Sequence, residues 1–153
     1  MVNDDCLSRL RSLVVGFHGA LVAHDFGDTG LNLRNFPVEC CHHACKLLTV
    51  FLFGQGFTDI EKRVGSRPDD PAGEHLWLIV EGAVVDITAY QFDDNLDQTI
   101  VAEDSPWHTP LEGKPSQFGL VDESLADYVG RAKSHYEGLC EQLEGEALRI
   151  LSR

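Results

Sequence analysis

The chain has 153 residues, 43% of them apolar and 24% charged, with a formal net charge of -13. That length suits a single domain over residues 1–153 with its own core. The surplus of acid argues against phosphate binding, so nucleic acid is not an expected partner. No apolar run is expected to span a bilayer. Asp4, Asp5, Arg9 and Arg11 break the pattern of a signal peptide, and the expectation is a cytoplasmic protein without membrane contact. Five cysteines, an odd number, argue against a disulfide framework. The acid gathered in residues 93–104 reads first as a solvated surface.

The first predicted helix covers residues 4–24. Leu7, Leu10, Val14, Phe17 and Leu21 recur at steps of three and four and make one apolar face. Asn3 or Asp4 can cap it. Glycines and a proline make 25–39 mostly loop. A second helix over 40–54 carries Ala44, Leu47, Leu48, Phe51 and Leu52 on its buried stripe, and Gly54 and Gly56 end it.

The period then changes. Residues 57–65 read as a strand, and 66–74, with two prolines and a glycine, as an exposed loop. The runs "HLWLIV" and "AVVDIT" flank Glu81-Gly82 and predict a hairpin with a two-residue turn. A further strand is predicted at 99–103, an irregular segment at 104–120, and a long helix from Asp122 nearly to the end. Strands are segregated from helices, so the class is α+β with a mostly antiparallel sheet.

The hairpin register puts His75, Trp77 and Ile79 on one face with Val84, Asp86 and Thr88. Asp86 becomes the diagonal neighbour of His75, within side-chain reach. A His oriented by an Asp is two-thirds of a triad. Cys40 and Cys41, at a helix start where the dipole favours a thiolate, are the candidates for the nucleophile.

These residues resemble a known family. "CCHHACKLLTVFLFGQGF", "RVG" and "HLWLIVEGAVVDIT" are similar to the core of the transglutaminase-like, papain-like cysteine enzymes, over roughly residues 36–92. Small bacterial members and the leader-peptide proteases of lasso-peptide pathways are the most similar in length and motif. The resemblance implies a helix–sheet core with Cys41 as nucleophile, His75 as base and Asp86 as its orienter. It implies an amide-bond enzyme: a peptidase, amidase, deamidase or acyl transferase working through a thioester. Its substrate would be a protein or peptide amide, or a glutamine side chain. A non-catalytic binding or regulatory protein on the same fold is the alternative.

Secondary candidates surround that centre. Asn35 precedes Cys41 by six residues and can donate to an oxyanion, as can Gln91 after the Asp strand. Trp77 is read as packing beneath the site. His108, in "SPWH", lies in a segment that can cover a cleft. Cys41 and Cys45, four apart, can share a zinc ion with His75 or His108. The chain offers no second Cys pair of zinc-knuckle spacing, so no metal or other cofactor is expected.

Overall fold

The computed structural model describes residues 3–23, 36–37, 41–115 and 141. Asn35, Cys40, Cys140, most of the 25–39 loop and the helix expected from Asp122 lie outside the described residues. Helix α1 spans Asp4–Ala23 and α2 spans Cys41–Gly54. Five strands follow: β1 at Ile60–Arg67, β2 at Asp70–Val80, β3 at Ala83–Asp86, β4 at Ile100–Ala102 and β5 at Lys114–Pro115. They form one sheet in the order β4-β3-β2-β1-β5, and every pairing is antiparallel. The α+β class is as expected, with two N-terminal helices packed on an antiparallel sheet.

The helices begin and end where their sequences direct. Asn3 caps α1, its side-chain oxygen accepting from the Cys6 amide at 2.7 Å. At the end of α2 the Phe57 amide reaches back to Leu52 and the Gly56 amide to Phe53. Gly56 stands at φ 98°, the left-handed conformation that this helix ending requires. Leu10, Val14, Phe17 and Leu21 of α1 meet Leu47, Leu48 and Leu52 of α2 over Leu78, Val80 and Val85 of the sheet. By length and composition α1 would also suffice to cross a bilayer. The expectation that no segment reaches that length therefore does not hold, although one face of α1 is part of the core.

The β2–β3 hairpin forms with the predicted register. Val80 pairs with Ala83, Ile79 with Val84 and Leu78 with Val85. Glu81 and Gly82, at φ 50° and 87°, supply the two left-handed positions of such a turn. The neighbouring loop was misjudged. Residues 66–74 were expected to be open, yet β1 runs through Arg67 and β2 restarts at Asp70. The register slips between Ser66 and Arg67 and then re-forms as Arg67 opposite Asp70. The Arg67 guanidinium, 3.1 Å from the Asp70 carboxylate, closes that end. A bulge lets strand pairing continue where prolines would otherwise stop it.

Alternation leaves His75, Trp77 and Asp86 on the other face from Leu78 and Val85. They are buried there by the segment that follows β4, which holds Trp107, His108 and Leu111. Trp77 fits only because two glycines make room. A β-carbon on Gly65 would come within 2.9 Å of the indole, and one on Gly113 would collide with it. Gly113→Ala should therefore destabilise the protein by about 1–3 kcal/mol, the usual cost of overpacking, as a lower urea midpoint with an unchanged m-value.

Candidate functional site

The site is built on the Asp86 carboxylate, which ends β3. Its Oδ1 accepts from the amides of Thr88 and Ala89 at 2.9 and 3.0 Å and from the Thr88 hydroxyl at 3.3 Å. This is the local turn chemistry of aspartate, and it opens the short 3-10 turn Ala89–Gln91. The carboxylate is thereby held in one orientation. Its Oδ2 meets two imidazoles, His75 Nε2 at 2.6 Å and His108 Nε2 at 2.7 Å.

The His75–Asp86 pair is the one that the hairpin register predicts. His108 is expected from the sequence as a cleft residue, or as one possible partner of a cysteine zinc site, and it is instead the third member of the cluster. The side chains of His75, Asp86 and His108 are 0%, 1% and 4% exposed. His108 reaches Asp86 because residues 105–108 form a turn. The His108 amide donates to Ser105 O at 3.0 Å, and Ser105 Oγ lies 2.6 Å from His108 Nδ1. The sequence signal was present in Ser105-Pro106-Trp107-His108, a Ser three residues before a His. Nothing in the sequence links it to a strand 22 residues earlier.

Aromatic rings complete the surroundings of His75. Trp77 stacks on it with centroids 5.8 Å apart, while Phe92 and Trp107 present edges at 5.1 and 5.6 Å. Trp77 also contacts His108, at 4.9 Å, so it packs beneath the site as expected. The sequence reading does not single out Phe92, Trp107 and Ser105, and it places Thr88 on this face without a role. Gln91, a candidate oxyanion donor, gives its amide to Thr88 O at 3.0 Å and so helps hold the turn.

Burial and charge act against each other here. Burial by itself would lower the His75 pKa, but the charge and hydrogen bond of Asp86 outweigh it, Cys41 adds to the rise, and the value is lifted to about 9. Burial would raise the Asp86 pKa, and the two histidines reverse that, leaving it well below the ordinary carboxylate range. Burial pushes the Cys45 thiol well up, with Asp86 and Cys41 adding to the effect. Cys45 is thus a protonated core thiol, a poor partner for a zinc site in "CCHHAC".

The expected Cys41–His75–Asp86 catalytic triad is not what the structure assembles. The three-residue cluster is His75–Asp86–His108, and among the described residues no cysteine belongs to it. Cys41 begins α2 half-buried and lies close enough to His75 to raise its pKa through a hydrogen bond as well as charge. No contact of full hydrogen-bond geometry reaches His75 Nδ1 among the described residues, however, and the carboxylate on the other nitrogen is shared. Asp86, which in a triad would serve one imidazole, is divided between two. The reading as a cysteine hydrolase or acyltransferase working through a thioester falls with the triad.

Comparisons with protein-family models, with curated proteins and with solved structures each found no match for this chain.

Two outcomes test this electrostatic account. Asp86→Ala should cost about 3–5 kcal/mol in urea unfolding, because it strips the partner from two buried imidazoles. The second is a pH profile of stability in the presence of a chelator. His75 binds its proton more tightly when folded, so its contribution is complete below an unfolded pKa near 6.5 and is lost as pH rises through about 9. Asp86 acts in the opposite sense, its contribution being lost as pH falls below about 4. Urea unfolding from pH 4 to 9.5 should show a plateau below pH 6.5 and then a decline on the order of 3 kcal/mol. Flat stability from pH 6 to 9.5 would refute a charged His75.

Proposed function

We propose that this protein binds one divalent transition-metal ion, zinc foremost, through His75 Nε2, Asp86 Oδ2 and His108 Nε2. The observation that carries this reading is that these three ligand atoms, all buried, lie within 4.8 Å of one another. Two imidazoles and a carboxylate suit zinc, and three protein ligands leave a fourth position for water or another ligand. The supporting groups are of the kind that orient ligands. Ser105 sits on the outer nitrogen of His108, and backbone amides fix the far oxygen of Asp86. The transglutaminase-type topology remains a proposal for the fold, supported by the helix-then-hairpin order around His75 and Asp86 and kept without its thiol chemistry.

A second reading has its own observation. Contacts of 2.6 and 2.7 Å are hydrogen-bond lengths, whereas ligands around tetrahedral zinc lie roughly 3.3 Å apart. To admit an ion the cluster must lose both Nε2 protons and open by a little over half an ångström. Without an ion it is a clamp that fastens the 105–111 segment to the sheet.

Metal analysis and thermal unfolding separate the two. With zinc bound, purified protein should take up one equivalent, and zinc at a hundred times its Kd should add about 2.7 kcal/mol. That corresponds to roughly 5–10 °C in Tm for a domain of this size. His108→Ala should remove the zinc-dependent increment, and Cys41→Ala should keep it. A wild-type Tm that ignores both zinc and chelator, in protein that stays ion-free after equilibration with zinc, leaves the clamp and overturns the metal site.

A further inference from the structure

Beside the cluster lies a cleft of about 330 Å³ whose walls include Phe92 and Trp107. We infer that this cleft binds a guanidinium or ammonium group. The inference does not depend on a metal at the neighbouring site.

The argument begins with hydrogen-bonding inventory. Pro68, Pro106 and Pro110 line the cleft, and proline has no amide N–H to offer. Asp69 and Asp93 line it as well, and carboxylates only accept. Among the described residues, the two hydrogen bonds made to the Asp93 carboxylate, from the Asn95 amide and side chain, both fall on Oδ1, so Oδ2 is left for a ligand. The side-chain donors on these walls are the Arg67 guanidinium, held by Asp69 and Asp70, and the Trp107 indole N–H, so the charged acceptor left open to a cation is Asp93 Oδ2.

The aromatic walls favour the same chemistry. Phe92 and Trp107 lie nearly parallel, 12° apart in plane with centroids 6.1 Å apart, and electron-rich ring faces attract cations. The cleft already shows this preference within the chain, since the Arg67 guanidinium stands 4.3 Å over the Phe92 ring. Arg67 does not make the cleft positive, because Asp69 and Asp70 flank it at 3.5 and 3.1 Å. The half-buried Trp107 offers the second aromatic surface. A chain with a formal charge of -13 also draws cations toward such a cleft from a distance. The volume lies at the small end of ligand pockets, enough for an arginine or lysine side chain or a compact organic amine.

Three probes test this by calorimetry and tryptophan fluorescence on the full chain: agmatine, a capped Gly-Arg-Gly peptide, and the same peptide with citrulline replacing arginine. Trp77 is buried, so Trp107 should report contact. Agmatine, the arginine peptide or both should saturate, and affinity should fall as salt is raised. Binding of both assigns the site to the cationic group itself. Binding of the peptide alone assigns it to a side chain on a polypeptide, and binding of agmatine alone to a free amine. Asp93→Asn, which preserves shape, should weaken binding roughly tenfold, the order expected for one charge-assisted contact, while circular dichroism and Tm stay as in the wild type. Trp107→Phe should keep most of the affinity and Trp107→Ala lose it. Equal binding of the citrulline peptide, or no binding of either cation at millimolar concentration, overturns the inference.

Discussion

Asp86 accepts hydrogen bonds from five donors: the amides of Thr88 and Ala89, the Thr88 hydroxyl, and the Nε2 atoms of His75 and His108. The donors come from three parts of the chain that meet on this one carboxylate. His75 is in the middle of β2, Thr88 and Ala89 begin the turn after β3, and His108 belongs to the irregular segment after β4. A carboxylate buried without such partners would cost several kcal/mol and take up a proton instead. With them it stays ionised and sets the charge of its neighbour, His75. The fold of the upper sheet and the chemistry of the site therefore have a common origin.

The surroundings of His75 follow from that charge. An imidazolium with an anion on one nitrogen can still be enclosed by rings, because the stacked face of Trp77 favours a cation. Phe92 and Trp107 pack nearly at right angles to the imidazole around that stack. Gly113 is a glycine because the Trp77 ring fills the space above it, and Gly65 because that ring and Leu111 do so together.

How much of this was legible in the sequence depended on the distance over which each signal acts. The capping by Asn3, the helix ending at Gly56 and the Glu81-Gly82 turn are set by a few adjacent residues and were read correctly. The hairpin register gave the His75–Asp86 pair, because alternation along two strands joined by two residues leaves little freedom. The bulge at Ser66–Arg67 is hidden because prolines locally signal a loop, and the strand pairing that overrides them is not local. His108 was misplaced for the same reason. Its turn is local, but the carboxylate that it meets lies 22 residues away across the sheet. The triad was an error of a different kind. A His–Asp pair and a helix-start cysteine invited a third link, and the sequence could not show that Asp86 already had a second imidazole.

The two readings of the cluster differ in what occupies the space between three heavy atoms. Protons there need separations near 2.7 Å, and a zinc ion needs roughly 3.3 Å. The side on which the cluster can open is not arbitrary. Asp86 is fixed from behind by two backbone amides, and His75 is held within a strand paired on both sides. His108 is carried by a turn that rests on Ser105 and by a segment with little strand pairing of its own. Of the three ligands it is the one that can move without breaking the sheet. Opening for an ion would therefore be a displacement of the 105–111 segment, the same segment that supplies Trp107 to the neighbouring cleft. A change of occupancy between the three atoms would thus be felt at the aromatic wall, because Trp107 and His108 are adjacent in sequence and in ring contact at 4.9 Å.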